Sequence, residues 1–438
     1  MKSSINIGFI GFGTVASGAI KILLSQKNLL ARRLGNSIEI RKIADRNITD
    51  DRGIALPEGL LTTDIQAVLN DPEIDIMVEL IGGTTTAKTV VLEALNKGKH
   101  VVTANKALLA IHGEEIFDAA SSLGVEVGFE ASVCGGIPIV RAMKEALASE
   151  KILTIHGIMN GTCNYIFSKM RDEGRSFSDI LKDAQRLGFA EADPTLDVGG
   201  GDSAHKLAIL ASLAFGTDIS LKEIYTEGIE KITPIDIAFA DEFGYEIKLL
   251  AITKQRDQEI EARVHPTMIS KATLLSKIDG VFNAVVVVGE TVGELLFYGQ
   301  GAGSLPTGSA VVNDLIDISR HILSESPTKV PARSFVKKFR KHLRIKPIGE
   351  ITSLYYLRFM VRDQPCVLSR ISGILGEFNI SIASVIQQGR KIGGHVPLVM
   401  MTHLAKEKNL RNAILEIDQL DDVSGETLFI RIEGEDPL

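Results

Sequence analysis

Tryptophan is absent from this chain of 438 residues, aromatics make up only 5% of it, and there are three cysteines. Cys134, Cys163 and Cys366 lie far apart, so they form neither a disulfide framework nor a short-spaced metal motif. A reducing cytosolic setting suits them. No apolar run approaches membrane-spanning length, the nearest being AVVVV at 284–288. The first residues, MKSSINIGFIGFG, lack the apolar region and small-residue cleavage site of a secretory leader. An excess of basic charge is missing too: 55 acidic against 48 basic residues leave a net charge of −7, which argues against a nucleic-acid surface. The basic cluster RSFVKKFRKHLR at 333–344 reads as a solvated linker or helix face. A cytoplasmic protein with no nucleic-acid or membrane partner is the expectation.

What is present is well organised. Hydrophobic residues at 45% and charged residues at 24% suit a globular chain, and the length calls for two or three domains. INIGFIG, IEIRKIAD, IDIMVELIG and KHVVTAN read as strands, with TVASGAIKILLSQ and TTAKTVVLEALNKG as helices among them. That alternation predicts a parallel sheet covered by helices. Near residue 130 the rhythm changes. GGIPIVRAMKEALAS suggests a helix start, ILTIHGIMN a strand and NYIFSKMRDEG a helix, with strands at IEARVHP and FNAVVVVGE. This predicts a second, α+β domain. Beyond the basic cluster, LYYLRFMV, VLSRISGILGEFN, ISIASVIQQ, HVPLVMMTH, EKNLRNAILEIDQL and GETLFIRIE follow the βαββαβ order of a ferredoxin-like sheet.

The chemistry starts at the first strand's end. Gly11, Phe12, Gly13, Thr14, Val15 and Ala16 fit G-x-G-x-x-A: Gly11 for the tight turn, Gly13 for close approach of a pyrophosphate, Ala16 for helix packing. The helix start adds free N–H groups for the anion. Asp45 ends the second strand, where a carboxylate accepts from a ribose 2′-hydroxyl and favours NAD; Arg46 beside it suits a 2′-phosphate and NADP. The 34 residues from Gly11 to Asp45 demand a long first crossover, supplied by KNLLARRLGNS. At another strand end, TANK either caps a helix through Asn105 or points Lys106 into the ligand cleft.

The stretch GFAEADPTLDVGGGDSAHK, 188–206, has two readings. One is a connector entering a capped helix with an i,i+4 pair of Asp202 and Lys206, worth about 0.2–0.5 kcal/mol. The other is an active-site floor. There Lys206 moves a proton beside Asp202, and Glu191 and Asp197 hold a substrate ammonium.

Taken together, GFGTVASG, VELIGG, VVTANKALLA, FEASVCGGIPI, GIMNGTCNYI, GFAEADPTLDVGGGDSAHK, YTEGI and YGQGAGSLPTGSAVVND resemble homoserine dehydrogenases with a C-terminal ACT domain, almost end to end. The resemblance implies a Rossmann-type parallel sheet domain, an α+β catalytic domain and a ferredoxin-like ACT domain. Their expected bounds are 1–132 (completed by about 301–325), 133–300 and 351–438, with a linker at 326–350. It implies reversible NAD- or NADP-dependent interconversion of L-homoserine and L-aspartate 4-semialdehyde, in threonine and methionine biosynthesis. Lys206, Asp202 and Lys106 become the catalytic set, with Lys206, Glu191 and Asp197 on the substrate. A monovalent cation, usually sodium, is implied at Glu130 and the backbones of Val133, Gly135 and Ile137. Gly303 in the late GAG segment returns to the cofactor. A homodimer or homotetramer is implied, with threonine as effector at the ACT domain. Many relatives have glycine where this chain has Cys366, and a side chain there narrows the turn or a ligand site. Two rivals are a phosphorylating semialdehyde dehydrogenase, which needs Cys134 or Cys163 as nucleophile beside a base, and a non-catalytic sensor. Intact Lys106, Asp202 and Lys206 argue against the sensor.

Overall fold

A computed structural model describes residues 2–324, 330–387 and 394–434. Residues 325–329 of the expected late cofactor segment and linker, Gln388 of the expected strand ISIASVIQQ, and 435–438 lie outside the described residues. The chain divides into two compact units: Met1–Met159 with Ala204–Ile224 and Phe282–Leu343, and Asn160–Ser203 with Tyr225–Val281 and Arg344–Leu438. No helix among the described residues is long and apolar enough to cross a membrane.

In the first unit, parallel strands run in the order Leu61–Thr62, Ser37–Ala44, Ser4–Ile10, Ile76–Glu79, His100–Thr103, Val127–Gly128. The central strands are apolar on both faces because helices cover both. Ile7, Phe9, Ala16, Ile20, Val78, Val311 and Leu315 share one core. The long first crossover contains a second helix, Lys27–Leu34, after the helix Thr14–Ser25. Against Thr14–Ser25 lies Ser304–Ser324, at an approach only glycine permits. A Cβ on Gly18 would run into the Ser304 carbonyl, and one on Gly308 would come 2.5 Å from Ala19 N. Three antiparallel strands, Ile152–Ile158, Phe282–Gly289 and Gly293–Gln300, complete the unit's sheets.

The helix start expected in GGIPIVRAMKEALAS proves irregular. Ile139–Arg141 forms one turn and Ala142–Ala146 a π-helical turn, with Leu147 N donating to Ala142 O. Its first N–H groups are satisfied from outside, Val140 N and Arg141 N donating to the Glu130 carboxylate at 2.9 and 2.8 Å.

In the second unit, the hairpin Tyr245–Arg256 and Glu259–Ser270 adjoins a sheet ordered Leu428–Glu433, Thr352–Arg362, His395–Thr402, Ile382–Gln387. The latter four strands, with helices Val367–Glu377 and Glu407–Ile417, are the expected ferredoxin-like βαββαβ unit. Tyr355, Phe359, Ile371, Leu410 and Ile414 form its core.

Candidate active site

Strand register sets the cofactor corner. Ile10 pairs with Ala44 and Glu79, and Glu79 with Thr103, so the carboxyl ends of four strands finish side by side. Gly11 follows at φ 102°, where a Cβ would lie 2.5 Å from the Leu80 carbonyl oxygen; only glycine turns here. At Gly13 a Cβ would meet nothing within 4 Å, and this residue caps the helix Thr14–Ser25. Open space above free N–H groups fits a pyrophosphate. Thr14 is exposed and Val15 half-buried. Ala16 is fully buried, yet the closest helix approach is made by Gly18.

Asp45 does structural work in the turn: its carboxylate accepts from Phe12 N at 2.5 Å and Asn47 N at 2.8 Å. Arg46 is exposed. Sequence reasoning missed Arg52, whose guanidinium sits 5.9 Å from the Phe12 ring centre in the same turn. It also missed Glu79, a buried carboxylate that accepts from Thr103 Oγ1 at 2.6 Å and Ile81 N at 2.9 Å. Burial pushes its pKa up against those hydrogen bonds. An acid inside the apolar strand IDIMVELIG was the available signal.

Lys106 begins the helix Lys106–Leu123 and is half-buried. Asn105 caps that helix, accepting from Leu108 N at 3.0 Å and donating to Gly83 O at 2.7 Å. Of the alternatives for TANK, the cap is observed: Asn105 caps the helix, and Lys106 is its first residue, just after the strand His100–Thr103.

Lys206 is buried, on the helix Gly201–Phe215, and its Nζ donates to Met159 O at 2.6 Å. Asn283 Nδ2 donates to the same carbonyl at 3.0 Å. Gly301 makes room for Asn283, because a Cβ there would overlap its amide. Gly303 has φ 117°, and the next residue, Ser304, donates its hydroxyl to Thr14 O at 2.8 Å. The GAG segment thus reaches the glycine turn.

In the second unit Asn160 gathers two of the predicted carboxylates. Its Nδ2 donates to Asp197 Oδ1 at 2.8 Å and Asp202 Oδ2 at 2.9 Å. Asp202 is buried in the first turn of its helix, and Asp197 lies in the short helix Thr195–Val198. Glu191 is exposed, and its carbonyl accepts from Gln185 Nε2 at 3.1 Å.

Glu130 is buried, and burial raises its pKa. Val133 and Ile137 are buried nearby, with Cys134 and Gly135 both left-handed at φ 54° and 46°. One carboxylate with backbone carbonyls is an all-oxygen set that suits a hard monovalent cation. Among the described residues no group of three or more His, Cys, Asp or Glu forms a metal cluster. Asp314, missed in the sequence, accepts from Glu130 N at 2.9 Å and is pushed up to about 7 by burial and the Glu130 charge. Its place among Val311, Leu315 and Ile318 on an apolar helix face was the overlooked sign.

A dinucleotide turn in one unit with a buried lysine at a helix start belongs to an NAD(P)-dependent oxidoreductase, and that is the class of this chain. Comparison with known proteins narrows it. Family models described as "Homoserine dehydrogenase, NAD binding domain", "Homoserine dehydrogenase" and "ACT domain" match residues 11–130, 138–316 and 355–422. Homoserine dehydrogenase of Pseudomonas aeruginosa is 46% identical over 432 residues, 98% of this chain and 99% of that one. That of Neisseria gonorrhoeae is 45% identical over 430 residues, again 98% and 99%. The crystal structure of a homoserine dehydrogenase from Thiobacillus denitrificans matches with a TM-score of 0.93 at 45% identity, covering 98% of each chain. The chain belongs to the homoserine dehydrogenase family. Its reaction is the NAD(P)-dependent interconversion of homoserine and aspartate 4-semialdehyde, a step of amino-acid biosynthesis.

Proposed function

We propose that Lys206 takes the hydroxyl proton of L-homoserine when C4 is oxidised and returns it when the semialdehyde is reduced. The observation that supports this most directly is the buried Nζ held by the Met159 carbonyl. An amine fixed at one atom keeps its aim in both directions of the reaction. Asp202, one helical turn before Lys206, supports it, and Lys106 stabilises the developing oxyanion or shares the proton. Glu191 and Asp197 hold the substrate ammonium through charge-assisted bonds. The nicotinamide dinucleotide, held by Gly11, Gly13, Thr14, Val15 and Gly303, supplies the hydride acceptor. An absorbance assay with homoserine and each dinucleotide tests the set; normal turnover in Lys206→Ala would remove its proton role.

NADP is the preferred cofactor in this reading. Asp45 is already engaged by Phe12 and Asn47, while Arg46 and Arg52 bring positive charge to the same corner. Replacing both arginines by alanine should lower kcat/KM with NADP and spare it with NAD. Glu130 and the carbonyls of Val133, Gly135 and Ile137 hold sodium. Exchange into a tetramethylammonium buffer should then lower the thermal midpoint, and sodium should restore it. The same reading assigns 1–132, completed by about 301–325, to the cofactor, 133–300 to catalysis, 326–350 to a linker and 351–438 to an ACT domain that binds threonine. The enzyme works in the cytoplasm as a homodimer or homotetramer.

A further inference from the structure

The segment Tyr225 to Ile229, within the second unit, touches two regions of different character. On one side is the loop between Asp197 and Asp202. Ile229 N donates to Val198 O at 2.9 Å. A Cβ on Gly228 would lie 2.7 Å from Val198 O and 3.0 Å from Gly199 Cα, and one on Gly200 3.0 Å from Thr226 Cγ2. The two strips are joined by a backbone hydrogen bond and pack closely at both glycines, so a shift of one strip presses on the other.

On the other side is a charge cluster on the ferredoxin-like sheet, buried at its centre. Glu227 Oε2 accepts from Tyr225 Oη at 2.9 Å and from Arg431 Nη1 at 3.0 Å. Arg431 is almost wholly buried on Leu428–Glu433 and forks onto Glu407, Nε at 2.7 Å and Nη2 at 2.6 Å. Glu407 is fully buried at the start of its helix. Arg411, one turn further, donates to Glu407 at 2.6 Å and to Tyr225 Oη at 2.9 Å. Both guanidinium groups face the Tyr225 ring, at 5.0 and 5.5 Å from its centre. Burying Arg431 with Glu407 is a poor route to stability, because desolvation offsets the attraction. Forked geometry is what such a cluster supplies.

We propose that Arg431 is a positioning residue for the carboxylates of Asp197 and Asp202: anchored on Glu407, it fixes Glu227 and thereby holds the 225–229 segment against the stretch that runs from Asp197 to Asp202. The inference rests on the reading that Asp197 serves homoserine. It gives the ferredoxin-like sheet a route to the substrate that bypasses the dinucleotide turn.

The test compares Glu227→Gln, Tyr225→Phe and Arg431→Lys with Asp197→Asn, measuring kcat, both KM values and the thermal midpoint. Glu227→Gln should raise the homoserine KM by about tenfold, with the NADP KM unchanged. Tyr225→Phe and Arg431→Lys, which keep shape or charge, should give smaller rises of the same kind. If Asp197→Asn raises the homoserine KM while the folded Glu227→Gln and Tyr225→Phe enzymes stay within about twofold of the parent, the positioning role is overturned. Equal rises in both KM values would overturn it too. If Asp197→Asn leaves the homoserine KM untouched, the substrate reading and this inference fall together.

Discussion

The proton role proposed for Lys206 makes its removal the sharpest residue-scale prediction. Lys206→Ala should lose about two to four orders of magnitude in kcat while still quenching or shifting NADPH fluorescence on binding. Cys366 carries a different demand. It stands at φ 71° immediately before the helix Val367–Glu377, a conformation costing a residue with a Cβ about 1–2 kcal/mol. Cys366→Gly should therefore raise stability by about 1 kcal/mol, read as a higher midpoint in urea, with turnover unchanged. Single residues were unevenly legible. Lys206 and Asp202 stood out because a charged i,i+4 pair opened an apolar helix after a glycine run. Asn160 and Asn283 gave no such sign, since an amide's role is decided by what folds beside it, 42 residues away for Asn160 and Asp202 and 124 for Asn283 and Met159.

Elements fared better where a period was available. The parallel strands were readable from unbroken apolar runs, and the ferredoxin-like unit from its alternation of strand and helix. The π-helical turn at Ala142–Ala146 was not readable, because the turn before it, Ile139–Arg141, takes its N–H partners from Glu130, outside the helix itself. The contact between Thr14–Ser25 and Ser304–Ser324 was equally hidden, since neither helix names its partner. Gly18→Ala puts a methyl group into the Ser304 carbonyl, and backbone cannot swing aside as a side chain does. The expected cost is about 1–3 kcal/mol, with weaker dinucleotide binding because the glycine turn opens the displaced helix. Thermal unfolding and a cofactor titration would both register it; an unchanged midpoint would contradict the packing described.

For the whole molecule, acid sensitivity follows from His265. The ring is fully buried between Arg263, whose Nε donates to its Nε2 at 3.1 Å, and the Pro266 carbonyl. Since Arg263 only donates, Nε2 is the unprotonated nitrogen. Burial, with the charges of Arg431 and Arg263, holds the pKa well below 6.5. An unfolded chain takes up this proton as pH falls through about 6.5, and the native one does not. Stability from this group is thus intact above that pH and is lost below it at about 1.4 kcal/mol per pH unit. His265→Gln should flatten the dependence of the midpoint between about pH 6.5 and 5. The meeting of Thr14 with Ser304 also acts across most of the chain, the two residues being 290 apart. During synthesis at about 5–20 residues per second, the dinucleotide sheet must wait roughly fifteen seconds to a minute for its last helix to emerge from the ribosome. Until then the face of Ala16, Ala19 and Ile20 has nothing to cover it from that helix. Nascent chains stalled before Ser304 should be cut readily by protease in their first hundred or so residues, and chains released beyond Ser324 should resist, which makes completion of this fold an event timed by translation.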